Sequence, residues 1–255
     1  MSSTTGNDST IPAAAVSRQP VFATTHWSVV LTAGRTDTTR AHDALAKLCQ
    51  SYWYPLYAYV RRRGYSSHDA QDLTQAFFTR LLERRSLGHV DPSLGRFRSF
   101  LLAALNNFLA SEWKSAQAQK RGGGQQTISL DLAAAEQRYD LEPADRSSPD
   151  KAFDKQWALA LLGEVLAKLE EEYRRDGQSK LFAALKQTLT GSRETQPYEE
   201  LAGQLGISEG TIKVTVHRLR KRYRDLIRDE IANTVASTAD IDAEMHHLLE
   251  ALVEK

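Results

Sequence analysis

The segment Tyr198–Arg220, Y-E-E-L-A-G-Q-L-G-I-S-E-G-T-I-K-V-T-V-H-R-L-R, constrains this chain more than any other stretch. Two helices that cross closely need a small residue at the crossing, and Ala202 supplies it. The turn between them needs a residue that tolerates positive φ, and Gly206 stands four positions on. Ser208 is placed to cap the second helix, and Ile207, Ile212, Val216 and Leu219 give it an apolar stripe facing the first. This is the pattern of a helix-turn-helix, whose second helix can enter the major groove of DNA. On that geometry Lys213, Val214, Thr215 and Arg218 face the groove, where polar groups and methyls read base edges. Thr211, Arg220, Lys221, Arg222 and Arg224 meet phosphates, which position without specifying. An ordinary helical hairpin with a charged outer face has the same apolar spacing, so the distribution of charge has to separate the two.

The total charge is uninformative: 33 Lys and Arg stand against 32 Asp and Glu, a net of +1. Locally the balance is different. Between Ile207 and Arg228 the seven basic residues Lys213, Arg218, Arg220, Lys221, Arg222, Arg224 and Arg228 outweigh Glu209 and Asp225, a local net of +5. From Arg96 to Arg121 the local net is +4, and the intervening stretch 125–154 carries −4. Polyanion binding depends on local positive charge, so two basic segments around an acidic spacer imply two contacts with nucleic acid.

The periodicity elsewhere is helical, with no alternating strand pattern and no internal repeat. Residues 1–20 are small, polar and proline-punctuated, an expected disordered segment. A short helix is expected over 25–33 with Trp27, Val30 and Leu31 on one face, and a longer one over 37–63, kinked or divided at Pro55. Ser67 reads as the cap of a helix running to Arg85, and a long helix is expected from Phe97 to Lys120. Gly122-Gly123-Gly124 and the acidic residues that follow read as a linker over 122–149. A second helical group begins near Asp150, with Phe153, Trp157, Leu161, Val165 and Leu169 as its buried stripe. Ile241, Met245, Leu248, Leu249 and Leu252 mark a final amphipathic helix, which either caps the second domain or docks on the first domain or a regulator. The expected fold is all-α: two small helical domains, 21–121 and 150–231, joined by a flexible linker, with the helix-turn-helix in the second and an extension over 232–255.

With 41 % apolar and 25 % charged residues, the 255-residue chain is ordinary for a soluble protein. Cys49 is the one cysteine, so the chain has no intrachain disulfide. The longest apolar runs, such as Phe100–Leu105, fall well short of a membrane span, and no signal pattern opens the chain. A cytoplasmic protein without membrane contact is expected. Chemistry is sparse. Cys49 shares the apolar stripe of Leu45, Leu48 and Tyr52; His246-His247 lacks the spacing of helical zinc ligands; the triple glycine is not followed by Lys-Ser/Thr. No cofactor, metal or catalytic residue is expected.

The first half narrows the choice among DNA-binding proteins. Asp69-Ala-Gln-Asp-Leu-Thr-Gln-Ala-Phe-Phe, followed by Phe97-Arg-Ser-Phe-Leu-Leu-Ala-Ala-Leu-Asn-Asn-Phe-Leu-Ala110 and then the helix-turn-helix, resembles the extracytoplasmic-function (ECF) sigma factors of bacterial RNA polymerase over roughly residues 40–228. The resemblance implies that the first domain holds core polymerase and opens the minus-10 element while the second reads the minus-35 element. It places Asp69, Asp72 and Gln75 on the polymerase-binding surface, and Asn107 with the loop His89–Arg98 at the minus-10 element, Arg96 and Arg98 included. Phe97, Phe100 and Trp113 are candidate stacking platforms, but Phe100 and Phe108 share helical spacing with Leu101, Leu105 and Leu109, which favours the core.

The chain departs from the family in three places. Gln71 and Ala76 stand where relatives carry acids, and a phosphate on Thr74, Ser66 or Ser67 from a Ser/Thr kinase is one way to restore the charge. Val214-Thr215 replaces a common Ser-Arg, implying a different promoter sequence. The segment around Trp27 and the helix 241–252 lie outside the usual pair of domains, and an anti-sigma factor is a further expected partner. A stand-alone helix-turn-helix regulator is the alternative; it predicts duplex binding without polymerase.

Overall fold

The computed structural model describes residues 39–83, 96–118, 132–141, 148–189, 196–235 and 237–253. The expected helix 25–33 and the loop 88–95 lie outside them, as do the side chains of Leu45, Leu48 and Cys49. The described residues form α-helices and two short 3-10 turns, with no strand among them, in agreement with the all-α reading.

Helix α1 (Thr39–Arg62) is the axis of the first half. Its residues Tyr52–Val60 are buried without interruption, so this part of the helix is covered all round instead of along one stripe. The helix passes through Pro55 without dividing. Helices α2 (Ser67–Glu83) and α3 (Phe97–Ala118) bring Phe77, Phe78, Phe97, Leu101, Leu105 and Phe108 into the same core. Trp53 meets Phe78 with ring centroids 6.1 Å apart, and Tyr52 meets Phe97 edge-on at 5.4 Å.

Within the expected linker, residues 132–141 form helix α4. Its Ala-rich start favours a helix, and its charged side chains then find partners on α1. Glu136 pairs with Arg61 at 2.9 Å and accepts from the Tyr57 hydroxyl. Arg138 lies 3.9 Å over the Tyr54 ring, and Arg61 lies 4.7 Å over Tyr139.

Helix α5 (Pro149–Arg175) is the longest element among the described residues. Ser148 caps it, accepting from Lys151 N–H, and Pro149 occupies the first turn where its missing N–H costs nothing. Its buried Phe153, Trp157, Leu161, Val165 and Leu169 pack against both α1 and the second half. Ser51 bonds Glu164 across the α1–α5 contact, and Tyr59 meets Phe153 edge-on. Next come α6 (Ser179–Leu185), the 3-10 turn Lys186–Leu189, α7 (Tyr198–Leu205), α8 (Glu209–Ala232), the 3-10 turn Thr238–Asp240 and α9 (Ile241–Val253). Helix α9 packs on α5 and α8 through Ile241, Leu248 and Ala251, and the Phe97 N–H at the start of α3 bonds the Thr234 carbonyl just after α8. Both halves thus contribute to one buried apolar cluster.

Candidate nucleic-acid interface

The α7–α8 turn forms as its sequence dictates. Gly206 takes the left-handed conformation with φ 66°, ending α7, and the N–H groups of Gly206 and Ile207 bond the Ala202 carbonyl. Ser208 caps α8, its Oγ accepting from Thr211 N–H at 3.1 Å. Leu201 and Ala202 are buried in the same cluster as Ile212, Val216 and Leu219, so the short α7 is packed on the first half of the longer α8.

The outer face of α8 sorts its cations into two groups. Arg220 does not project freely: Nε and Nη2 donate to the Thr188 carbonyl at 3.2 and 2.9 Å, tying α8 to the 3-10 turn. Arg222 forks onto the two oxygens of Glu172 on α5, at 2.9 and 2.5 Å. This bond holds the Glu172 carboxyl below the ordinary carboxylate range and lifts the Arg222 guanidinium further. Arg228 pairs with Asp242 of α9 at 2.6 Å. Lys213 meets Glu209 one turn earlier at 2.7 Å, an exposed pair of little strength. By contrast, Arg218, Lys221 and Arg224 are exposed and make no ion pair or hydrogen bond among the described residues.

The groove-facing set also separates. Val214 is 50 % exposed, an apolar side chain in water beside Lys213 and Arg218. The Thr215 hydroxyl donates back to the Thr211 carbonyl at 2.8 Å, which leaves its methyl as the group suited to a thymine contact. The Thr211 hydroxyl is engaged with Ser208 at 2.8 Å. His217, not singled out from the sequence, is exposed three residues after Val214 and four before Lys221. Counting i, i+3, i+4, i+7 from Val214 finds His217, Arg218 and Lys221 on one stripe, a signal present in the sequence but obscured by the density of Lys and Arg around it.

In the first half, Ser66 and Asp69 form a reciprocal cap at the start of α2. Ser66 Oγ donates to Asp69 Oδ2 at 2.6 Å and accepts from the Asp69 N–H at 3.1 Å. Asp72 is exposed, 3.5 Å from His68 one turn back, and Gln75 is half-buried on the same helix. Thr74 is fully buried and its hydroxyl donates to the Ala70 carbonyl, so a phosphate there is incompatible with this fold. Ser66 and Ser67 are exposed.

Asn107 is exposed on α3, whereas its neighbour Asn106 is used internally, accepting from Tyr59 and Arg63. Phe97 and Phe108 are buried in the core and Phe100 packs against it; Trp113 is 60 % exposed near the end of α3. Arg96 and Arg98 are not open cations. Arg96 Nε lies 2.8 Å from Glu244 Oε2, and Arg98 Nε lies 2.7 Å from Glu244 Oε1 while its Nη1 lies 2.5 Å from Asp154. Arg98 also sits 5.0 Å over the Trp157 ring. In this arrangement carboxylates, not phosphates, hold both guanidiniums.

No group of three or more metal-ligating side chains occurs among the described residues, and no described helix is long and apolar enough to cross a membrane.

Sequence comparison finds similarities to known proteins. The model of sigma-70 region 2 matches residues 48–119, which takes in α2, α3 and the buried part of α1. An ECF RNA polymerase sigma factor, SigE of Mycolicibacterium smegmatis, is 27 % identical over 172 residues, covering 68 % of this chain and 57 % of that relative. The chain therefore spans little more than half the length of that relative. No solved structure matches it.

Proposed function

We propose that this chain, a member of the ECF branch of the sigma-70 family, is a transcription initiation factor that directs bacterial core RNA polymerase to particular promoters and has no catalysis of its own. The observation that carries the reading is the conjunction, in one chain, of a region 2 match over 48–119 with a capped, basic helix-turn-helix at 198–232. A plain regulator needs only the second of these.

The mechanism is differential binding. Asp72, exposed on α2, and Asp69 at its capped start present negative charge to a basic surface of polymerase, with Gln75 on the same helix. Lys213, Val214, Thr215, His217 and Arg218 face the bases of the minus-35 element. Lys221 and Arg224 are the phosphate contacts on α8. Arg220 and Arg222, engaged with Thr188 and Glu172, act first by setting the angle of the recognition helix. Asn107 contacts the opened minus-10 strand, with Arg96 and Arg98 at the entry to α3. The two halves, 21–121 and 150–231, divide these tasks, and the protein works in the cytoplasm, under control of an anti-sigma factor or of a Ser/Thr kinase acting at Ser66 or Ser67.

Co-purification with core polymerase tests this. Asp72→Lys reverses an exposed charge whose partner in the fold is the surface histidine His68, so stoichiometric binding by wild type and its loss in the variant are the expected result. A wild-type protein that ignores polymerase but binds duplex DNA alone overturns the reading in favour of a stand-alone regulator.

A further inference from the structure

Glu244 is a fully buried carboxylate among the described residues. It is 0 % exposed, and both of its oxygens face guanidiniums, Arg96 on one side and Arg98 on the other. It projects from the face of α9 that also buries Ile241 and Leu248, where an apolar residue would serve packing alone. A buried carboxylate with paired arginines gains little stability over a well-packed apolar side chain, because desolvation offsets the attraction. The arrangement is better understood through what it occupies. Arg98, which reaches both oxygens through Nε and Nη2, and Arg96, which reaches one through Nε, converge on a pair of oxygens that a phosphodiester presents as well as a carboxylate does.

Two further observations bear on access. Arg96 is 34 % exposed, so the site opens to solvent on that side, whereas Arg98 is 7 % exposed behind it. Helix α9 is held through Ile241, Leu248 and Ala251 with Met245 and Leu252 beside them, and leaves Leu249 and Val253 in water; among the described residues its Asp242 pairs with Arg228 and its His247 Nε2 lies 3.2 Å from Asp154.

We propose that Arg96 and Arg98 form a phosphodiester-binding site that Glu244 fills in the free protein, so that α9 and DNA compete for the start of α3. This deepens the initiation-factor reading and rests on it. In the free protein the minus-10 half is closed by its own carboxylate; binding of DNA displaces α9, which frees Arg96 and the edge of Arg98 that faces Glu244, while Asp154 and Trp157 of α5 keep holding the other side of Arg98.

The test is binding of a short single-stranded DNA of mixed sequence to the full chain, followed by fluorescence anisotropy over a range of salt. Glu244→Gln keeps the side chain's shape and removes its charge. It is expected to bind about tenfold more tightly than wild type, with a log–log salt slope steeper by about 0.7, the value for one added phosphate contact on a single strand. Adding Arg96→Gln and Arg98→Gln to that variant is expected to abolish the gain. Wild-type affinity in Glu244→Gln overturns the proposal, and so does a gain that survives loss of both arginines, or absence of saturable binding in all three proteins. Hydrogen exchange on the wild-type chain decides the matter independently of whether the variants fold. Amides of residues 241–253 are expected to exchange faster at saturating DNA, and unchanged protection overturns the proposal. Failure of the chain to bind core polymerase counts against the initiation-factor reading; unchanged affinity of Glu244→Gln in a chain that does bind polymerase counts against this inference alone.

Discussion

Two glycines three residues apart in α7 and its turn should respond oppositely to the same substitution. Gly206 has φ 66°, and an added Cβ meets nothing within 4 Å, so Gly206→Ala creates no clash and its whole cost is the left-handed backbone. That conformation costs an L-residue about 1–2 kcal/mol. Gly203 lies inside α7, exposed, with nothing within 4 Å of an added methyl and ordinary helical backbone. Gly203→Ala therefore gains the helix-propensity difference, about 0.5–1 kcal/mol. The two variants should differ by about 1.5–3 kcal/mol, from these two principles combined. Urea titrations at matched slope, read as the shift in midpoint, measure it. A Gly206→Ala protein as stable as wild type refutes the reasoning, because α7 then does not end in a left-handed turn. Equal losses at both positions refute it too, because Gly203 is then in contact with something α7 does not show.

Other consequences follow from the sorting of the α8 cations. Arg220→Ala should destabilise by about 1–3 kcal/mol through loss of the charged bonds to the Thr188 carbonyl, whereas Lys221→Ala should leave the urea midpoint within about 0.5 kcal/mol. In DNA binding by the polymerase complex, Lys221→Ala should weaken all promoters alike and lower the salt slope by about 1; a promoter-selective effect contradicts its phosphate role. His217→Ala should spare stability and change the minus-35 preference, checked by selection from randomised upstream elements. Glu172 is held below the ordinary carboxylate range by Arg222, so its contribution is present at neutral pH, where the unfolded side chain is also ionised. It is lost as pH falls through the depressed folded value. The stability gap between wild type and Glu172→Gln should accordingly close toward acid pH, and a gap that widens instead contradicts the Arg222 pairing.

What the sequence made legible was what local chemistry decides. Gly206, Ser208 and the Ile212–Val216–Leu219 stripe specify a turn and two helices within about two dozen residues, and each does in the structure what its residue type requires. The core roles of Phe100 and Phe108 were likewise readable from spacing. Helix α4 was hidden because the acidic residues of 125–154 average to a linker composition, while Glu136, Arg138 and Tyr139 find their partners on α1, some 75 or more positions away. Distance along the chain also hides the partners of cations. A helical wheel places Arg222 outward but has no knowledge of Glu172, 50 positions earlier. It places Arg98 at the start of α3 but not against Glu244, 146 positions later. Thr74 reads as a modification candidate from its neighbours in sequence, and the packing of α2 buries it.

Reconstituted transcription tests the central claim most directly. Purified core polymerase is mixed with genomic DNA fragments, with and without this chain, and the transcript 5′ ends are sequenced. The claim predicts a set of start sites that appears only with the chain and shares one upstream and one downstream element, with the upstream preference altered in Arg218→Ala. Identical 5′ ends with and without the chain would contradict it.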